Sequence, residues 1–404
     1  FGSALIQTSR CLYTGAAGNN VDGQPIFVHA AGGDYRLASG SPGMDASDYD
    51  VYSAAGGGAA DLNGDTRTID ACASNTGSGA FDFQDIGAYE TFEPAIRNVS
   101  RDTLHSTIQE ALLAAEPDDV IQLAACTFWD DGIVFPGGIN LTLRGAGRGL
   151  TIIDGGGGAD TQPILTLNGS GQTAATVISD LTLRNGISTH PEGPGGVYLL
   201  STSPTFRNVD FENNGGPGLG GAAHLVLRGS AAPSLDRCRF LGGHSAYESI
   251  GGSSGTSLTM LQCLVAGSTT NRLLRLDGPS NRLINCTFAA AGTASGVALN
   301  TVGGAIQATS CVIAGSQSAS SGGAFDRSRC LYVGAAGDNI NAAPAFVDAA
   351  GGDFRLLSGS PGVDAADHAA FEALSSAVAD LRGASRLVDD CAAPDTGSGA
   401  VTYL

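Results

Sequence analysis

The chain has 404 residues, 60 of them Gly, and 39 acidic against 20 basic side chains, a net charge of -19. All the basic residues are Arg; with no Lys and no cationic run, phosphate-loop, Schiff-base and nucleic-acid-binding readings are excluded. No apolar stretch approaches a membrane span, and Glu, Lys and Met are too scarce for a helical bundle, so the composition points to an all-β protein rich in Gly/Asp/Asn turns.

In chain order, residues 1–92 read as short strands and turns with Cys11, the tract LASGSPGMDA and the closing tract DIGAYE. They are expected to be the last coil and tail of one repeat unit. No secretory signal opens the chain, which reads as a piece of something longer. Residues 93–104 read as a linker or bridging strand. Ser106 and Gln109 form a capping-box signal, followed by Leu104, Ile108, Leu112 and Ala115 at helical spacing. This predicts a short helix near 106–115, capping the first coil of a second unit, 93–404. Pro117 ends the helix, and VIQLAACTF, LTLRG and LTIID read as strands.

Seven segments then share an apolar-x-apolar core followed by a small or turn residue. Their first positions are Leu181, Val209, Cys238, Cys263, Cys286, Cys311 and Cys330. Their second positions are Leu183, Phe211, Phe240, Val265, Phe288, Ile313 and Tyr332. Like residues recurring at one phase, 19 to 29 residues apart, predict strands stacked in register about 4.8 Å apart. The expected fold is a right-handed parallel β-helix, a solenoid with coils to about 335 and a tail over 336–404.

A longer repeat overlies this one. Residues 9–45 and 328–364 are identical at 26 of 37 positions, at a constant offset of 319. Asp61 and Arg67 align with Asp380 and Arg386, and Cys72 with Cys391 after the same offset; one residue is then inserted. Tandem units of about 319 residues are expected.

The run from helix to LTLRGAGRGLTIIDG and NCTF-like coils resembles pectin-lyase-like right-handed β-helix proteins. The tail tracts LASGSPGMDA, DLNGDTR and DIGAYE resemble the choice-of-anchor Q domain. The motif positions are Ser41, Pro42, Asp45, Asp61, Arg67, Asp85, Gly87 and Tyr89, and in the second copy Ser360, Pro361, Asp364, Asp380 and Arg386. The resemblance implies a bacterial, secreted, surface-exposed protein with no established catalytic role.

Candidate chemistry is thin. Asp61, Asn63 and Asp65 have the one-three-five spacing of a calcium loop, but the second copy carries Asp380, Arg382 and Ala384 there, so calcium is not a property of the repeat. No other cofactor is expected. Asp389 and Asp390 pair as in polysaccharide hydrolases, yet the first copy has Asp70 and Ala71. The six His lack metal-ligand spacing and read as surface or turn residues. The stacked Cys read as buried free thiols, whereas Cys72 and Cys391 are disulfide candidates with unidentified partners. The expected role is structural: units joined end to end in an extracellular rod, filament or sheath, contacting copies of themselves. An adhesin or glycan-binding protein is the alternative, and a carbohydrate-active enzyme ranks below both; no catalytic residue is assigned.

Overall fold

The computed structural model describes the chain except for residues 1–9, 38–40, 65–66, 68–75, 80–83, 91–94, 158–161, 170, 189–192, 217–221, 246, 291–295, 373–379, 386–394 and 399–404. The fold is mostly β, 41% strand and 6% helix, with long parallel sheets. The chain divides into two compact units, Phe1–Ala115 with Ile121–Phe128, and Glu116–Val120 with Trp129–Leu404. The expected division at 92/93 falls inside the first.

In the first unit, Leu12–Tyr13 pairs in parallel with Val21–Asp22. A hairpin joins Phe27–His29 to Asp34–Leu37, turning through Gly33 at φ 85°, a left-handed angle that only Gly adopts freely. Asp48 caps the helix Tyr49–Ala54 by accepting the Val51 N–H. Ile96–Asn98 is a strand, antiparallel both to Thr103–Leu104 and to Ile121, Gln122 and Leu123.

The predicted helix exists but is shorter, and its cap lies one residue later. It spans Ile108–Leu113, capped by Thr107 rather than Ser106. The Thr107 hydroxyl accepts the Glu110 N–H (3.0 Å), and the Glu110 carboxylate accepts the Ser106 N–H (2.9 Å). A capping box one residue later places a carboxylate, not the neutral Gln109, at the positive end of the helix. Ile108, Ala111 and Leu112 form its buried face.

The second unit is built from three stacks of parallel strands, to which successive chain segments contribute in turn. The first stack aligns Leu143, Ile178, Phe206, Leu235, Met260, Leu283 and Ala308. The second aligns Ile153, Leu183, Phe211, Phe240, Val265, Phe288 and Ile313. The third aligns Ile133, Leu165, Val197, Leu225, Ile250, Leu274 and Leu299. All three rows are buried. Each row repeats one side-chain phase, so apolar groups stack on apolar groups from strand to strand.

Between the first and second stacks the backbone bends at one residue: Asp180, Asn208, Arg237, Gln262, Asn285, Ser310 and Arg329, all at φ between 52° and 58°. The next residue begins the Cys row. Each thiol lies against two carbonyl oxygens, one two residues earlier and one on the neighbouring strand. Cys286 Sγ is 3.2 Å from the Ile284 oxygen and 3.5 Å from that of Met260; Cys311 Sγ is 3.4 Å from Thr309 and 3.3 Å from Leu283. The thiol is a small apolar filler that also supplies a weak donor beside the bend. Cys238, Cys263, Cys286, Cys311 and Cys330 are buried free thiols; Cys72 and Cys391 lie outside the described residues.

The second unit ends in a tail whose local structure matches the first copy. The hairpin Phe346–Asp348 with Asp353–Leu356 and the helix start at His368 lie 319 residues beyond their counterparts. The bridge Asp48–Ser78 recurs as Asp367–Ser398, with the one-residue insertion absorbed between.

Candidate binding cavity beneath the tail

The outward side chains of the second stack change character along it. Asp210 and Arg239 give way to Leu264, Thr287 and Val312 in the same row, and Leu241 to Ala266 and Ala289 in the next. Where the face is apolar the tail covers it: Leu264, Ala266 and Ala289 cluster with Leu241, Phe346, Phe354 and Leu381. Polar contacts fix the same docking. Ser310 Oγ accepts the Asp367 N–H at 2.7 Å, and Arg329 donates to the Thr396 carbonyl.

Where the face is charged, the groups neutralise one another. Arg239 binds the buried Asp210 through two guanidinium N–H groups, with Nε to Oδ1 at 2.7 Å. Arg148 Nη1 lies 3.6 Å from the same carboxylate, and the Arg148 guanidinium also donates to the Leu381 carbonyl, tying the tail loop to the strands. The Asp210 bonds raise the Arg239 pKa, whereas burial lowers that of Arg148.

Tail and strands line a half-open cavity of about 870 Å³. Arg148, Arg239, Gln262 and Asn285 line its strand side; Asp353, Arg355, Asp380 and Arg382 line its tail side. Asp353 and Asp380 are held by Arg355 and Arg382. Gln262 and Asn285 are 2% and 8% exposed, and neither amide has a hydrogen-bond partner at nitrogen or oxygen. Unpaired buried amides cost about 1–3 kcal/mol each, so paired donors and acceptors from a bound molecule or water would be favoured here. A second space of about 340 Å³ shares Arg148, Asp380, Leu381 and Arg382 and adds Asp180, Arg207, Asn208 and Arg237. The arrangement offers hydrogen bonds in both directions.

Sequence reading did not single out Gln262 or Asn285. The available signal was their position immediately before each Cys, but the seven bend residues share a backbone angle, not a side-chain chemistry.

The tail motif is a network of turns. Ser41 and Ser360 hydroxyls accept the N–H groups of Ile26 (3.2 Å) and Ala345 (3.4 Å). Pro42 packs against Gly23; Pro361 follows Ser360 into the equivalent turn. Asp45 and Asp364 adopt the left-handed conformation, and their carbonyls accept from Thr76 and Thr396, both at 2.8 Å. Asp85 accepts the Asp45 N–H at 2.8 Å, and Arg67 donates to the carbonyls of Asp85 (3.1 Å) and Gly87 (2.9 Å). Glu90 is buried beside Arg67 and Asp85; burial first, then the Asp85 charge, pushes its pKa up to about 9. Tyr89 is half-buried beside it.

Asp61 and Asn63 share a turn in which Asp61 accepts the N–H groups of Asn63 (2.7 Å) and Glu90 (2.9 Å). Asp380 holds the matching turn through Arg382 and Ala384. Asp65, Arg386, Asp389 and Asp390 lie outside the described residues. Among the described residues, no group of three or more His, Cys, Asp or Glu is placed to hold a metal ion.

The surface reading of the histidines is corrected at two positions. His368 is buried at the start of the tail helix. His224 is buried between Phe211 and Phe240, with Nδ1 3.2 Å from the Asn214 amide, and burial depresses its pKa to about 3. An imidazole kept neutral by an apolar site packs as an aromatic.

Compared with known proteins, the sequence matches no family model and no curated protein.

Proposed function

We propose that the chain is a segment of an extracellular, tandemly repeated structural protein. Its strand stacks wind as a right-handed parallel β-helix, and its units join end to end into a rod, filament or surface sheath. The observation that carries this reading is the recurrence, at an offset of 319, of one tail with one local structure. Three parallel stacks fed by consecutive segments support the winding. The choice-of-anchor Q resemblance of the tail supports a bacterial surface location. The acidic, Lys-free composition would keep long assemblies mutually repelling and dispersed. Negative-stain imaging of the secreted parent protein tests it: elongated particles are expected, and compact, monodisperse ones would sink the proposal.

A second reading is a glycan-binding adhesin. The cavity favours it, because the amides of Gln262 and Asn285 beside Arg–Asp pairs match the alternating donors and acceptors of sugar hydroxyls. Calorimetric titration with a panel of neutral and uronic oligosaccharides tests it, with Gln262→Ala as the control. Heat that is unchanged by that substitution would count against this site.

A further inference from the structure

In the second unit, Phe346, Phe354 and Leu381 of the tail pack onto Leu264, Ala266 and Ala289 of the strands. The first copy carries the same trio 319 residues earlier, as Phe27, Tyr35 and Leu62. The two ring pairs have the same geometry: Phe27 and Tyr35 are 5.5 Å apart at 81°, Phe346 and Phe354 5.5 Å apart at 82°. Their surroundings differ. Phe354 and Leu381 are half-buried, whereas Tyr35 is 54% exposed and Leu62 69% exposed.

We infer that Phe27, Tyr35 and Leu62 form a docking surface for the outer strand face of another copy of the repeat, at the positions of Leu264, Ala266 and Ala289. The occupant is fixed by the second unit, where equivalent side chains in equivalent geometry cover that face. The Tyr35 hydroxyl, absent from Phe354, lets the ring keep its polar tip at the rim of such a contact. The inference goes beyond the rod reading, since it needs only a second copy of the strands, not a filament.

The test adds such a copy in cis. Residues 93–327 are fused ahead of Ser9, a junction equivalent to Arg327–Ser328, and nitration of Tyr35 by tetranitromethane is followed by peptide mass spectrometry. A several-fold slower nitration than in the original chain is expected, reversed by Leu264→Asp in the added copy alone. Nitration as fast as in the original chain, with the added strands protected from hydrogen exchange, overturns the inference. A second measurement, used if the added strands do not fold, works in trans. The full chain carrying Phe354→Asp and Leu381→Asp, its strand face uncovered, is mixed with the unmodified chain. Tyr35 nitration in the latter should fall as concentration approaches the millimolar range that a short tether supplies. No protection at that concentration overturns it.

Discussion

Phe211 and Phe240 stack face to face at paired positions of neighbouring strands, ring centroids 4.4 Å apart and planes 9° apart. Parallel in-register pairing dictates this geometry, since identical residues leave successive strands at the same angle and cannot choose an edge-to-face approach.

Truncating one ring should therefore be felt by its neighbours. Phe240→Ala is expected to cost about 3–5 kcal/mol, with Phe211 and His224 left facing the void. Phe240→Leu should cost less than half of that. Hydrogen exchange of the amides around 211, 240 and 265 measures both; protection equal to the parent would contradict the packing.

The bend column makes a different prediction. At Gln262 (φ 54°) a β-branched residue is strained, whereas Gly is at ease and removes an unpaired buried amide as well. Gln262→Val should destabilise by about 1–2 kcal/mol, and Gln262→Gly should be neutral or stabilising. Thermal melts of the two variants separate them. Equal melting temperatures would remove the left-handed bend from the account.

The thiols should be silent. Burial raises the Cys263 and Cys311 thiols well above their ordinary range. In the folded chain a disulfide reagent is expected to leave Cys238, Cys263, Cys286, Cys311 and Cys330 unmodified until denaturant is added. Rapid labelling of any of these five under native conditions would refute the buried column.

The two units should respond to pH in opposite senses. Glu90 has its folded pKa raised from 4.5 to about 9. The folded state holds the extra proton, so its contribution is complete below 4.5 and is lost as pH rises toward 9. His224 is depressed from 6.5 to about 3. There the unfolded state takes the proton first, so stability is complete above 6.5 and falls as pH drops toward 3. Glu90→Gln should remove the alkaline loss in the first unit, and His224→Phe the acid loss in the second, read by hydrogen exchange of each unit across pH. A Glu90→Gln variant with an unchanged alkaline profile would show that Glu90 is not the titrating group.

The two rows read from the sequence, Leu181 to Cys330 and Leu183 to Tyr332, were legible because in-register stacking repeats residue types at one phase. The row Ile133–Leu299 is equally buried, but it is separated from the Cys row by segments of varying length, which hides its phase; the row Leu143–Ala308 lies a constant three residues before the Cys row over Ile178–Ala308 and carries the same periodic signal. Asp180, Asn208, Arg237 and Gln262 share a torsion angle and no chemistry, so no residue pattern announces the bend. The cavity depends on the tail meeting strands far earlier in the chain, such as Asp367 at Ser310, which short-range spacing does not encode. The helix cap was misplaced by one residue because Ser106 and Thr107 offer the same hydroxyl, and only the partner, Glu110 rather than Gln109, separates them.

The spacings of the Cys row, 28, 29, 25, 23, 25 and 19 residues, vary while the left-handed bend and the burial of the residue after it do not. In an ordinary two-stranded pairing, a one-residue slip turns every later side chain to the wrong face. Here each bend re-synchronises the chain, so a length error is confined to the connection where it arises. Such a sequence tolerates insertion and deletion as a text tolerates longer and shorter lines, which leaves its connections open to variation while the columns beneath them stay in step.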